Sequence, residues 1–160
     1  GKVFSRDNIP KSFDMAILID VPPSLDFLKK IMNCGAKEIL LMNYPVPKID
    51  LILSKIAGML KYTLSSLGGK TMLKDMRRAL IFDNEIIETG INILSECGLA
   101  DVDVDEEGNI FVSEIHAVKS DVITQNPHYE EFEQQLNDFK NHVDKINNLP
   151  FDELKKYIFG

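Results

Sequence analysis

The sequence predicts a mixed α/β (α+β) protein: a small parallel βαβ piece, then a winged-helix-like helix–turn–helix with a β-hairpin, then a long C-terminal helix. Three observations predict it. Two short apolar runs, Met15-Ala-Ile-Leu-Ile19 and Glu38-Ile-Leu-Leu-Met42, flank one amphipathic stretch. Strand, helix and strand joined by short connections make the two strands parallel neighbours. Between Thr71 and Glu114 the order is short helix, tight connection, second helix and hairpin, the plan of many DNA-binding modules. Downstream, Phe132, Leu136, Phe139, Val143 and Ile146 recur at helical spacing.

Element by element, the unbroken run 15–19 reads as a strand covered on both faces. Residues 2–5 are a candidate third strand beside it. Asp20-Val-Pro22-Pro23-Ser24 ends the run, and Ser24 takes the N-cap of a helix that places Leu25, Leu28 and Ile31 on one face. Gly35 stops this helix after Asn33. So thin a parallel sheet suggests that the chain begins inside a larger α/β domain, and Gly1 reads as a cleavage scar.

Pro45 and Pro47 mark a boundary, which divides the chain into an α/β piece (1–48), a winged-helix-like piece (49–127) and C-terminal helices packing on the body (128–160). Over 49–67, Ile49, Ile52, Ile56, Met59, Leu60, Thr63 and Leu67 fit a helix of about five turns, ended by Gly68-Gly69. A helix over 72–80, a connection over 81–84 and a helix over 85–97 follow, the last stopped by Gly98. Two strands then flank Asp105-Glu106-Glu107-Gly108-Asn109. The segment 115–127 has no period and reads as a connecting arm. The long helix runs over 129–146 to a break at Leu149-Pro150. Asp152 opens a final helix to Phe159, with Tyr157 and Phe159 expected to pack back on the body.

The 160 residues are enough for one or two small domains with an ordinary core. The net charge of −7 argues against broad binding to DNA or anionic membrane, while leaving room for a local basic patch. No apolar run approaches the roughly 20 residues that span a bilayer. Cys34 and Cys97 lack metal-ligand spacing and read as free thiols of a cytoplasmic protein, with a disulfide between them as the alternative.

Candidate chemistry is sparse. Asp101-Val-Asp103-Val-Asp105 begins like a calcium loop, but Glu106 and Val112 stand where Gly and a bidentate Glu are required, so a half-buried strand and hairpin fit better. His116, His128 and His142 are too scattered to be metal ligands, and His128 and His142 read as surface residues. Asp20 follows a strand's carboxyl end, where α/β enzymes place active groups, but Pro22-Pro23 is the opposite of a phosphate-cradling glycine loop.

Lys70, Lys74, Arg77 and Arg78 are the compact basic group, assigned to the first helix of the helix–turn–helix. They could meet nucleic-acid phosphates, pair with an acidic peptide tail, or form a solvated face paired with Asp75. Tyr62 and Phe82, the nearby aromatics, read as buried. The second helix carries Glu85, Glu88 and Glu96 with no Lys or Arg, and the hairpin carries Asp101, Asp103, Asp105, Glu106 and Glu107, which repels phosphates at the usual reading position.

Phe13-Asp-Met-Ala-Ile-Leu-Ile-Asp-Val-Pro-Pro-Ser-Leu-Asp-Phe-Leu-Lys29 resembles the opening of the C-terminal domain of Firmicute-type RecJ single-strand-specific DNA exonucleases. Ile91-Asn-Ile-Leu-Ser-Glu-Cys-Gly-Leu99 is similar to that domain's aliphatic-x-x-Phe-x-Glu-Leu-Gly-aliphatic run, with Leu94 in place of Phe and Cys97 in place of Leu. Lys119-Ser-Asp121, Pro127-His-Tyr129 and Phe151-Asp-Glu-Leu-Lys-Lys-Tyr-Ile158 resemble its later motifs in the same order. Pro45-Val-Pro47-Lys48 departs from a Pro-x-Arg motif there, and Lys48 would keep the charge as a less geometrically specific donor.

The resemblance implies a non-catalytic accessory domain of a 5′–3′ single-strand DNA exonuclease of repair and recombination. The manganese or magnesium of the parent enzyme would sit in an Asp-His-His core outside this chain, which itself holds no cofactor. Implied partners are that catalytic core, the acidic Phe-ended tail of single-strand DNA-binding protein, and single-stranded DNA, with no membrane. Two further readings from the residues are a winged-helix DNA-binding regulator and a small α/β enzyme using Asp20.

Overall fold

A computed structural model describes residues 8–18, 25–41, 47–80, 82–117 and 120–160. The candidate strand over 2–5, the strand ends at Ile19 and Met42, the Ser24 cap, Pro45 and Ile81 lie outside the described residues. The chain mixes helix with two small sheets and divides into two compact units, Gly1–Pro45 with Lys140–Gly160, and Val46–Phe139.

In the first unit, strands β1 (Met15–Leu18) and β2 (Glu38–Leu41) pair in parallel, with Met15 opposite Glu38 and Leu18 opposite Leu41. Helix α1 (Leu25–Asn33) connects them, as the βαβ pattern predicts. Leu28 and Met32 of α1 pack with Ile146, Leu154 and Ile158, and the inward strand residues Leu18 and Ile39 close over this cluster. The opposite sheet face is not covered as the apolar run suggested. Met15, Ile17 and Leu40 are 51%, 58% and 53% exposed, because Leu28, Met32, Ile146, Leu154 and Ile158 pack on the side of Leu18 and Ile39.

The second unit begins with α2 (Ile49–Ser66), which turns Ile52, Ile56, Leu60 and Thr63 inward on one stripe. Gly68-Gly69 ends it. Gly69 has φ +81 and a side chain there would meet the Val112 carbonyl oxygen at 2.8 Å, so only glycine fits where the Gly69 carbonyl accepts the Val112 N–H. The next residues form β3 (Lys70–Met72), followed by α3 (Leu73–Leu80) and α4 (Asn84–Glu96). Strands β4 (Ala100–Val104) and β5 (Asn109–Ile115) make an antiparallel hairpin with an irregularity at Asp101/Val102, and β3 pairs with the other edge of β5.

The core of this unit is built from Ile52, Leu53, Ile56 and Leu60 of α2, Leu73, Met76 and Leu80 of α3, Ile86, Ile87, Ile91, Ile93 and Leu94 of α4, and Ile110 and Val112 of β5. Gly90 lets α4 come close to α2: a Cβ there would run into Ile56 Cδ1 and touch Leu53 and Phe132. The segment read as a featureless arm contains a one-turn helix, α5 (Ser120–Ile123), whose Ile123 is buried.

The last long helix, α6 (Tyr129–Asn148), contributes to both units. Phe132, Leu136 and Phe139 belong to the second, where Phe139 meets Phe82 edge-on at 5.5 Å. Ile146 joins the first unit's cluster, together with Leu154 and Ile158 of α7 (Phe151–Phe159). Tyr157 is half-buried under the Lys145 ammonium at 4.2 Å, as expected of a residue packing back. Phe159 does not pack back. It is 46% exposed, because Leu154 and Ile158, four residues apart, take the inner face of α7. Among the described residues no helix is long and apolar enough to cross a membrane.

Candidate functional site

The basic group is built mainly on α3. Leu73, Met76 and Leu80 repeat at i, i+3 and i+7 and are buried, which fixes the helix's rotation. Lys74 and Arg78, four apart, therefore share the solvent side, with Arg77 half-buried next to them. Arg78 Nη1 donates to Asp75 Oδ1 at 3.1 Å, with the two side chains 52% and 47% exposed. A pair this open is worth about 0–1 kcal/mol.

Lys70 is not on that helix. It lies on β3, opposite Phe111 of β5, and its Nζ stands 5.0 Å from the Phe111 ring centroid. The cation–π contact contributes about 0.5–1 kcal/mol and holds the ammonium at the outer face of the sheet. Lys70 leaves the helix because Gly68-Gly69 hands the chain directly to the ladder with β5. Phe111, 39% exposed, is an aromatic that sequence reasoning missed at this site. Its alternation with the buried Ile110 and Val112 was the available signal.

Tyr62 corrects the opposite way. It is 53% exposed on α2 rather than buried, whereas Phe82 is buried as expected. Lys48 is exposed at the N-cap position of α2. That helix has 18 residues and so is about 27 Å long, which keeps Lys48 at the end remote from Lys70. Lys48 does not join the basic group. Asp20 and Lys119 lie outside the described residues.

The acidic elements stand where the sequence places them. Along α4, Ile86, Ile87, Thr89, Gly90, Ile91, Ile93 and Leu94 are buried. Exposure is left to Asn84, Glu85, Glu88, Asn92 and Glu96, a strip at i, i+4, i+8 and i+12 with Glu85 beside it. At the hairpin tip, Asp105 is a turn residue. Its Oδ1 accepts the backbone N–H groups of Glu107 at 3.0 Å and Asn109 at 2.8 Å, and its Oδ2 accepts Asn109 Nδ2 at 2.8 Å. The Asn109 side-chain bond, followed by its backbone bond, pulls the Asp105 carboxyl below 3.8. Among the described residues no His, Cys, Asp and Glu group is arranged to hold a metal ion.

A second polar constellation was not foreseen. His128 stands between two carboxylates, with Nδ1 at 3.1 Å from Glu131 Oε2 and Nε2 at 3.3 Å from Glu96 Oε1. Only the imidazolium can donate from both nitrogens, and the Glu131 hydrogen bond, then the Glu96 charge, raises its pKa above 6.5. Asn126 braces the group. It donates to Glu96 Oε2 at 3.0 Å and accepts the His128 N–H at 2.8 Å, an Asx turn opening α6. His142 is half-buried rather than solvated, and burial, with Lys145 nearby, lowers its pKa below 6.5.

Comparison with known proteins finds no matching family, no similar curated protein and no similar solved structure.

Proposed function

We propose that this chain is a non-catalytic docking module, the accessory domain of a RecJ-like single-strand DNA exonuclease, working through protein contacts or weak positioning of DNA. The order helix, strand, helix, helix, hairpin in the second unit supports a winged-helix reading. The observation that carries the proposal is the separation of charge between its two short helices. Lys74, Arg77 and Arg78 sit on α3 with Lys70 beside them on β3, while the exposed strip of α4 holds Glu85, Glu88 and Glu96. An anion approaches the α3 side and is repelled from α4. A duplex-reading regulator would need the reverse.

The test is a titration of the chain by fluorescence anisotropy, with labelled single-stranded DNA and with an acidic Phe-terminated peptide. Four phosphate contacts give a single-strand salt slope of about −2.8, so DNA affinity should fall about 50-fold between 50 and 200 mM salt. Lys74→Glu with Arg78→Glu should abolish binding of whichever probe is used. Sequence-selective duplex binding that survives this double substitution would overturn the reading, as would failure of both probes at low salt.

A further inference from the structure

Helix α2 turns one apolar face to the core and leaves two large apolar side chains on the other. Its outer side carries Leu51, Gly58 and Tyr62 at i, i+7 and i+11, on a line opposite Ile52, Ile56, Leu60 and Thr63. Leu51 is 52% and Tyr62 53% exposed, and a Cβ built on Gly58 meets nothing within 4 Å. Flanking this seam are Lys48 and Lys55 on one side and Lys61 with Ser54 on the other, all exposed. Asp50, in the first turn, is the helix's one carboxylate. Among the described residues no ion pair holds Lys48, Lys55 or Lys61.

Gly58 is the unexpected residue. A glycine inside a helix costs about 1 kcal/mol relative to alanine. The other mid-helix glycine, Gly90, has an evident use, since it admits the Ile56 side chain of α2 into close contact with α4. Gly58 sits on the outer face, between Leu51 and Tyr62 and framed by cations, and a Cβ there would meet nothing within 4 Å among the described residues.

We infer that the outer face of α2 is a docking surface for an acidic amphipathic helix of another protein, whose apolar stripe lies across Gly58 between Leu51 and Tyr62 and whose carboxylates meet Lys48, Lys55 and Lys61. Charge complementarity selects this occupant. A second copy meeting this face with its own α2 is disfavoured because it would bring another set of Lys48, Lys55 and Lys61 with Asp50 as the one carboxylate. Nucleic acid is disfavoured because the centre of the face is Leu51 and bare backbone, with Tyr62 as its one aromatic group for stacking. This surface is independent of the α3 group, so the two can fail separately.

The probe is a synthetic 18-residue helical peptide with Leu at the a and d positions and Glu flanks, titrated against the full chain by calorimetry. A Lys-flanked version and oligo-dT serve as controls. Micromolar binding of the Glu-flanked peptide alone is expected. Gly58→Gln places a bulky helix-favouring side chain across the seam and Tyr62→Ala removes an anchor; each should weaken binding at least tenfold. Gly58→Gln should also leave the helical circular dichroism intact, and Lys74→Glu should not affect this probe. No binding of the Glu-flanked peptide would overturn the inference. So would binding indifferent to Gly58→Gln and Tyr62→Ala, equal binding of the Lys-flanked peptide, oligo-dT binding that these substitutions abolish, or self-association that Gly58→Gln removes.

Discussion

Alanine at Gly58 and alanine at Gly90 is the same chemical change in the middle of two helices of one unit, and it should have two different outcomes. Both positions gain helix propensity and lose unfolded-chain entropy, worth about 0.4–1 kcal/mol in favour of the folded state. At Gly58 the new methyl meets nothing within 4 Å, so the whole gain should appear as stability. At Gly90 the methyl runs into Ile56 Cδ1 and crowds Leu53 Cδ2 at 3.5 Å and Phe132 Cε2 at 3.6 Å. Ile56, Leu53 and Phe132 are each 0% exposed, so none can swing into solvent to make room. Overpacking of this kind costs about 1–3 kcal/mol. Subtracting one variant from the other cancels the propensity term and leaves the steric one, a gap of about 1–3 kcal/mol, or roughly 5–150-fold in opening equilibria. Native-state hydrogen exchange on α2 and α4 amides reads this gap directly, because both glycines belong to the Val46–Phe139 unit. A gap below about 0.5 kcal/mol, or destabilisation by Gly58→Ala, would refute both the α2–α4 packing and the openness of the outer face of α2.

The two perturbed histidines should respond to acid in opposite senses. His128, raised above 6.5, contributes stability that is complete below 6.5 and is lost as pH rises through its folded pKa. His142, lowered below 6.5, contributes stability that is complete above 6.5 and is lost as pH falls through its folded pKa. Imidazole C2-proton titrations should give midpoints on opposite sides of 6.5, and coincident midpoints would contradict the geometry. Asp105→Ala should speed exchange at the Glu107 and Asn109 amides, since the carboxylate accepts both. The same loosening should appear in the unmutated chain as pH falls below 3.8, because the folded pKa is depressed. Leu154→Ala, at a 3% exposed site, should cost about 2–5 kcal/mol in urea unfolding, with protection lost around Leu28 and Ile158 before α2 and α4.

What was legible in the sequence was local. The periods of α2, α3 and α4, the parallel strand pair and the hairpin at Asp105 all repeat within a few residues, and each stands where its pattern predicts. Misreadings arose where a distant partner decides the outcome. Lys70 joins a strand because Phe111 offers it a ladder position, which nothing beside Lys70 announces. His128 is the surface residue its position suggests, 43% exposed at the side chain, and what its neighbours do not announce is the pairing with Glu96 of another helix. Tyr62 reads as buried on its aromatic character alone, yet it lies off the stripe of Ile52, Ile56, Leu60 and Thr63, and with that stripe inward it is 53% exposed. The outer face of β1 and β2 misled because a continuous apolar run records what a strand could cover and not what covers it.

Charge is only half of the argument against α4 as a reading helix. Base recognition in a groove needs a broad free face, so that side chains on neighbouring rows reach base edges while the flanks straddle the backbone. The exposed surface of α4 is a strip scarcely wider than one row of side chains, Asn84, Glu88, Asn92 and Glu96, with Glu85 at its start. The remaining circumference is committed to Ile86, Ile87, Ile91, Ile93 and Leu94, and to the close approach at Gly90. Replacing the glutamates with lysines would remove the repulsion without widening the strip, so it would not by itself make a duplex reader. Helices α3 and α2 have the opposite balance, with one buried stripe each and Lys74, Arg78, Lys55 and Lys61 exposed on the other side. On this balance the proposed docking falls to α3 and α2, and α4 is the beam against which they pack.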